Sequence, residues 1–141
     1  MDQTLVRDLM QEKIVTIGVS DRLSTVEDIM TLGCVRHMPV VQGGELVGVV
    51  TERDLLRASL SNLTGFDSIE RRAFLNAVEI ARVMSAPAVV IDAGATVEEA
   101  ARVMAERRIG CLPVIDCQTL VGLITETDLL RYFAGMPRDD R

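Results

Sequence analysis

The chain contains its own copy. Shifted by 74 positions without a gap, residues 8–57 lie over residues 82–131, and 15 of those 50 pairs are identical. The identities cluster, most densely where Leu46–Arg57 meets Leu120–Arg131. A self-match of this density is the mark of a duplicated structural unit. A unit of about 50 residues is marginal alone, because a small fold buries too little of its surface. Each copy would expose an apolar sheet face that the other can cover. The expected globule is therefore two like halves packed sheet to sheet about a pseudo-two-fold axis.

Each copy has a readable order. Ile14–Ile17 and Ala88–Ile91 are short β-branched runs, which predicts strands. Leu23, Val26, Ile29 and Met30 then recur at helical spacing, as do Val97, Ala100, Ala101, Val103 and Met104. The second of these helices is predicted to start at Ala95-Thr96, with Glu98 and Glu99 in its first turn, and to end near Arg107-Arg108. Two strands follow in each copy: His37–Val41 and Leu46–Thr51, then Cys111–Ile115 and Leu120–Thr125. Gly43-Gly44 is a strong hairpin signal and Asp116–Thr119 a weaker one. Glu52–Leu60 and Glu126–Phe133 close the copies as helices. The fold class is α/β (α+β), two β-α-β-β-α repeats.

The expected boundaries are 6–62 for the first repeat, 63–80 for a connecting helix, 81–134 for the second repeat and 135–141 for a polar, frayed tail. Gly65 should break the preceding helix. Asp67 and Glu70 look like a capping-box variant, and Ile69, Ala73, Phe74, Ala77, Ile80, Ala81 and Met84 predict a helix over roughly 68–83. Val6, Leu9 and Met10 suggest a shorter counterpart at the start.

Composition narrows the function. The net charge is −6, which argues against a nucleic-acid binder, since such a surface needs a basic stripe. Aromatic residues make up 3% of the chain, too few for base-stacking platforms. No apolar run approaches the ~20 residues of a membrane span. The N-terminus has no apolar stretch typical of a secretory signal, and Cys34, Cys111 and Cys117 are an odd set best read as reduced thiols. A cytoplasmic address is expected.

The chemistry worth weighing lies at a repeated junction. In Gly48-x-x-Thr51-x-x-Asp54 and Gly122-x-x-Thr125-x-x-Asp128 an apolar strand runs through Gly into Thr, and a helix follows. Gly lets a ligand or another backbone approach closely. The first helical turn offers unpaired N–H groups and partial positive charge to an anion. The Asp can accept hydrogen bonds from vicinal hydroxyls. Together these suit a ribose phosphate. Taken singly, Thr is also a good N-cap and Asp three residues on suits the helix dipole.

These junctions resemble those of tandem cystathionine-β-synthase-like (CBS) domains, the Bateman module. The lead-in methionines Met10 and Met84, and the segments His37-Met38-Pro39-Val40-Val41 and Cys111-Leu112-Pro113-Val114-Ile115, complete the pattern over about residues 6–134. The resemblance implies adenosine-containing ligands, namely AMP, ADP, ATP or S-adenosylmethionine, held in clefts between the domains and tuning a partner protein. It implies phosphate contacts from Thr51 and Thr125 and ribose contacts from Asp54 and Asp128. It assigns the adenine pocket to Val15, Ile17, Met38, Pro39 and Val50, and to Val89, Ile91, Leu112, Pro113 and Ile124. The resemblance also implies phosphate contacts from basic residues at the start of the second strand, where the first copy has Arg36 and His37. The second copy has Gly110 and Cys111 there, and Thr127 in place of Arg53. The two sites should differ, with tighter phosphate binding where Arg36, His37 and Arg53 converge.

The resulting expectation is a stand-alone, non-enzymatic regulatory module that requires no cofactor and forms a homodimer. The alternative is an interaction module with vestigial clefts, docked on a partner enzyme or transporter. No membrane or nucleic-acid partner is expected. The single His37 leaves no Ser-His-Asp set, and Cys34-x-x-His37 with Cys111 and Cys117 lacks paired metal-ligand spacing. The methionines are read as core filling, and Arg71-Arg72 and Arg107-Arg108 as solvated helix faces.

Overall fold

The computed structural model describes residues 3–60 and 67–138, with the side chain of Leu60 excepted. The expected break at Gly65, the 62/63 boundary and the end of the tail lie outside the described residues. The chain divides into two compact units, one made of residues 15–88 and the other of residues 1–14 with 89–141.

In the 15–88 unit the order is β1 (Ile17–Gly18), α2 (Leu23–Gly33), β2 (His37–Gln42), β3 (Glu45–Thr51), α3 (Glu52–Leu60) and α4 (Ser68–Ala77), while α1 (Val6–Leu9) belongs to the other unit. The sheet runs β1-β2-β3, parallel between the first pair and antiparallel between the second. The other unit holds α1 (Val6–Leu9), β4 (Ile91–Asp92), α5 (Val97–Arg107), β5 (Cys111–Asp116), β6 (Thr119–Thr125) and α6 (Glu126–Phe133), with the sheet order β4-β5-β6. Both copies are β-α-β-β-α, as the repeat predicts, and their registers match at the 74-residue shift: Val50 faces Met38, and Ile124 faces Leu112.

The first strand of each copy is shorter than expected. Only Ile17-Gly18 and Ile91-Asp92 pair with a neighbour, so Val15 and Val89 precede the ladder. Ile17 joins Leu23, Val26, Met38, Val40 and Val50 in one core; Ile91 joins Val97, Ala100, Leu112, Val114 and Ile124 in the other. Gly43-Gly44 forms the first hairpin turn with positive φ at both residues. Cys117 and Gln118 adopt the same left-handed geometry in the second, at φ 49° and 68°. The weaker sequence signal there hides an equivalent turn.

The connecting helix stops sooner than its periodicity predicts. Asp67 caps it, accepting from the Glu70 N–H at 2.8 Å, but α4 ends at Ala77. Val78 turns extended, and a 3₁₀ turn covers Ile80–Arg82. The backbone has better partners outside the helix there: Leu23 N–H donates to the Val78 carbonyl, Ile80 N–H to that of Asp21 and Ala81 N–H to that of Val19. Leu75 and Ile80 are then fully buried, while Ile69 is 78% exposed.

The same contacts recur 74 residues away with the chain segments exchanged. Val97 N–H donates to Thr4 O, Val6 N–H to Ala95 O and Arg7 N–H to Ala93 O. Thus the segment before the first copy completes the second, and the segment before the second copy completes the first. Val6 is fully buried in the core of the second copy, and Met10 lies beside it. The described tail is also tied down. Arg131 donates twice to the Pro137 carbonyl, at 3.1 and 2.8 Å, and Arg138 donates to the Met10 carbonyl.

Candidate functional site

Gly48 and Gly122 are where the exchanged segments touch down. Ser85 exchanges two backbone hydrogen bonds with Val49, at 3.0 and 2.9 Å, and Gln11 exchanges two with Leu123, at 2.8 and 2.9 Å. A Cβ on Gly48 would lie 2.6 Å from the Ser85 carbonyl and 3.0 Å from the Met84 sulfur. On Gly122 it would lie 2.8 Å from both the Gln11 carbonyl and the Met10 sulfur. The glycines therefore admit another backbone, one of the two roles the sequence left open. The repeated methionines are the side chains laid over them.

Three residues on, strand passes to helix. The Thr51 N–H donates to Asp54 Oδ2 at 2.9 Å, the Asp54 N–H returns a bond to Thr51 Oγ1 at 3.2 Å, and Thr51 Oγ1 donates to Asp54 Oδ2 at 3.1 Å. In the second copy the Thr125 N–H donates to Asp128 Oδ2 at 2.9 Å and the Asp128 N–H to Thr125 Oγ1 at 3.2 Å. Both Thr–Asp pairs are capping boxes with Asp in the place usually held by Glu. In each, the cap uses one carboxylate oxygen, Oδ2.

The two carboxylates differ in their further partners. Asp128 Oδ1 accepts from the Gln11 side-chain amide at 3.1 Å, and Asp128 and Thr125 are only 8% and 6% exposed. The residue matching Gln11 in the first copy is Ser85, whose side chain is too short for this contact. Among the described residues no side chain beyond Thr51 bonds to Asp54, and Asp54 and Thr51 are partly exposed. Sequence reasoning missed Gln11. The signal was the Gln11/Ser85 mismatch in the self-alignment, but its meaning depends on the exchange of lead-in segments.

The basic candidates flank the first junction. His37 is half-buried opposite Thr51 in the ladder, the exposed Arg36 accepts the Glu52 N–H on its carbonyl at 2.9 Å, and the exposed Arg53 is the second residue of α3. At the second junction Cys111 is buried opposite Thr125, and Gly110 O accepts the Glu126 N–H at 2.9 Å. The apolar candidates divide by burial. Met38, Val50, Leu112 and Ile124 are fully buried, and Pro39, Pro113, Ile17 and Ile91 are buried with them. These eight side chains are buried in the two cores. Val15 is exposed and Val89 half-buried.

An open concavity of about 590 Å³ lies in the unit completed by residues 1–14, lined by Arg7, Asp8, Met10, Glu12, Ala93, Asp116 and Val121. It includes none of the residues assigned from the sequence. Arg71 and Arg72 are not simply solvated: Arg71 pairs with Glu27, and Arg72 with Glu27 and Asp28, clasping α4 to α2. No described helix is long and apolar enough to cross a membrane.

Comparison with known proteins agrees with this architecture. The CBS domain family model matches twice, at residues 6–61 and 80–135, and the chain belongs to that family. It is 31% identical over 130 residues to a CBS domain-containing protein of Dictyostelium discoideum, covering 91% of this chain and 90% of that one. It resembles the crystal structure of the CBS domain pair of protein MJ0100 in complex with 5′-methylthioadenosine and S-adenosyl-L-methionine. That match has a TM-score of 0.80 at 25% identity and covers 95% of this chain and 98% of the other. It is also 31% identical over 139 residues to a homoserine O-acetyltransferase of Methanosphaerula palustris, but spans 26% of that enzyme's length. The chain is therefore a CBS domain pair, a regulatory class of module.

Proposed function

We propose that this CBS pair senses an adenosine-containing ligand (AMP, ADP, ATP or S-adenosylmethionine) and passes the binding event to a partner protein, without catalysing a reaction. The observation that carries this reading is the first junction. There Asp54 holds its helix cap with one carboxylate oxygen, at a junction where His37 lies opposite Thr51 in the ladder and Arg36 and Arg53 are exposed nearby in the chain. Asp54 would accept from the ribose hydroxyls. Thr51, the first turn of α3 and the basic side chains would hold phosphate or another charged tail. The adenosyl ligands of the MJ0100 pair support the ligand class. We further place the molecule in the cytoplasm as a homodimer.

A second reading makes the chain a docking module whose junctions only cap helices. It is supported by Leu56 on α3 and Leu130 and Phe133 on α6, which are 54%, 66% and 61% exposed. Thermal unfolding with AMP, ADP, ATP, S-adenosylmethionine and NADH separates the two. A ligand at a hundred times its Kd adds about 2.7 kcal/mol to the stability of the state that binds it. A rise in Tm with an adenosyl compound supports the sensor; no rise with any of them supports docking.

A further inference from the structure

We infer that the chain takes one adenosyl ligand, at Asp54, because the Gln11 amide already fills the hydroxyl-donor position at Asp128. This rests on the sensor reading and specifies its stoichiometry. The two junctions share one geometry, down to cap distances of 2.9 and 3.2 Å in each. Beside their different flanking residues, Arg36, His37 and Arg53 against Gly110, Cys111 and Thr127, they differ in what meets the second carboxylate oxygen, Oδ1. In the second unit Gln11 is fixed by its two backbone bonds to Leu123, and its side chain needs no further reach to donate to Asp128 Oδ1 at 3.1 Å. An amide N–H there makes the same kind of bond a ribose hydroxyl would make. A ligand must first displace it, and a buried acceptor that loses a partner costs stability unless the newcomer replaces the bond. Asp128 and Thr125 are buried behind this contact.

In the first unit the equivalent position is Ser85, bonded to Val49 in the same manner. Its hydroxyl stops short, and Asp54 keeps its acceptor for a ligand. Lead-in exchange thus lets residue 11, far from residue 128 in sequence, act as an internal stopper at one of two junctions whose backbone caps match.

Isothermal titration of the full chain with AMP, ADP, ATP and S-adenosylmethionine, each separately, tests this through stoichiometry. Wild type should bind one molecule per chain of whichever probe it accepts. Gln11→Ser, which copies Ser85, should bind two. Ser85→Gln should weaken the first site at least tenfold by building the same stopper at Asp54. Asp54→Asn should abolish the wild-type event, and Asp128→Asn should leave it unchanged. Far-ultraviolet circular dichroism verifies each fold, and Ser85→Gln carries the test if Gln11→Ser fails to fold. Two molecules bound by wild type, or one event that survives Asp54→Asn and disappears in Asp128→Asn, would overturn the inference while leaving the sensor reading intact. Absence of binding in every variant would overturn both.

Discussion

Gly48 and Gly122 show how a residue's role can be half legible. Their position before Thr marks a close approach, yet whether a ligand or a strand comes close depends on atoms from distant sequence. A Cβ at Gly48 would sit 2.6 Å from a backbone carbonyl, which cannot swing aside as a flexible side chain could. Gly48→Ala should therefore destabilise the chain by about 1–3 kcal/mol, the usual cost of forcing extra volume into a packed site. The denaturant midpoint of the folded chain measures it; an unchanged midpoint would mean the bridge to Ser85 is absent. Thr51 and Thr125 are legible in the sequence as N-caps and Asp54 and Asp128 as acids suited to the first turn; the hydrogen bonds match the caps and show each Asp bonding back to its cap residue. What the residue pattern alone did not reveal is that Gln11 distinguishes the two carboxylates.

At the level of elements, strands β2, β3, β5 and β6 and helices α3 and α6 follow the hydrophobic pattern closely, because both local preference and burial favour them. The connecting helix does not. Its periodicity continues through Met84, but Val78–Ala81 finds backbone partners in residues 19–23, and tertiary pairing overrides the helical period. Beside the buried Leu75, ion pairs tie α4 to α2. Arg72 bonds to Glu27 at 2.9 Å and to Asp28 at 2.8 Å, and its hydrogen bond holds the Asp28 carboxyl below the ordinary carboxylate range. A depressed folded-state pKa gives stabilisation that is complete above the unfolded value and lost as pH falls through the folded one. Arg72→Ala should lower stability at neutral pH and make the loss on acidification shallower, since one linked proton uptake is removed. Urea melts between neutrality and pH 3 read this out; parallel pH curves for mutant and wild type would exclude the clasp. The site is exposed, so the effect should also shrink in high salt.

On the scale of the molecule, duplication was plain from the self-alignment, and the exchange of lead-in segments was not. Met10 and Met84 align with each other, but alignment cannot say which copy each one completes. The exchange predicts unequal fragments. Residues 15–88 are contiguous and contain their whole core, from Ile17 to Ile80. Residues 89–141 alone lack Val6 and Met10, both buried in the intact chain. Losing the burial of two such side chains removes roughly 3–6 kcal/mol, comparable to the stability a small unit can hold. The 15–88 fragment should melt cooperatively. The 89–141 fragment should be unfolded until a peptide of residues 1–14 is added. If 89–141 folds equally well without the peptide, the exchange contributes little.

The most direct test of the account is a crystal structure of the full chain grown with S-adenosylmethionine or ATP. Ribose hydroxyls should lie within hydrogen-bond distance of the Asp54 carboxylate, with the charged tail toward Thr51 and Arg53 and the Gln11 amide still on Asp128. A ligand seated away from Asp54, or ribose on Asp128 with Gln11 displaced, would contradict it.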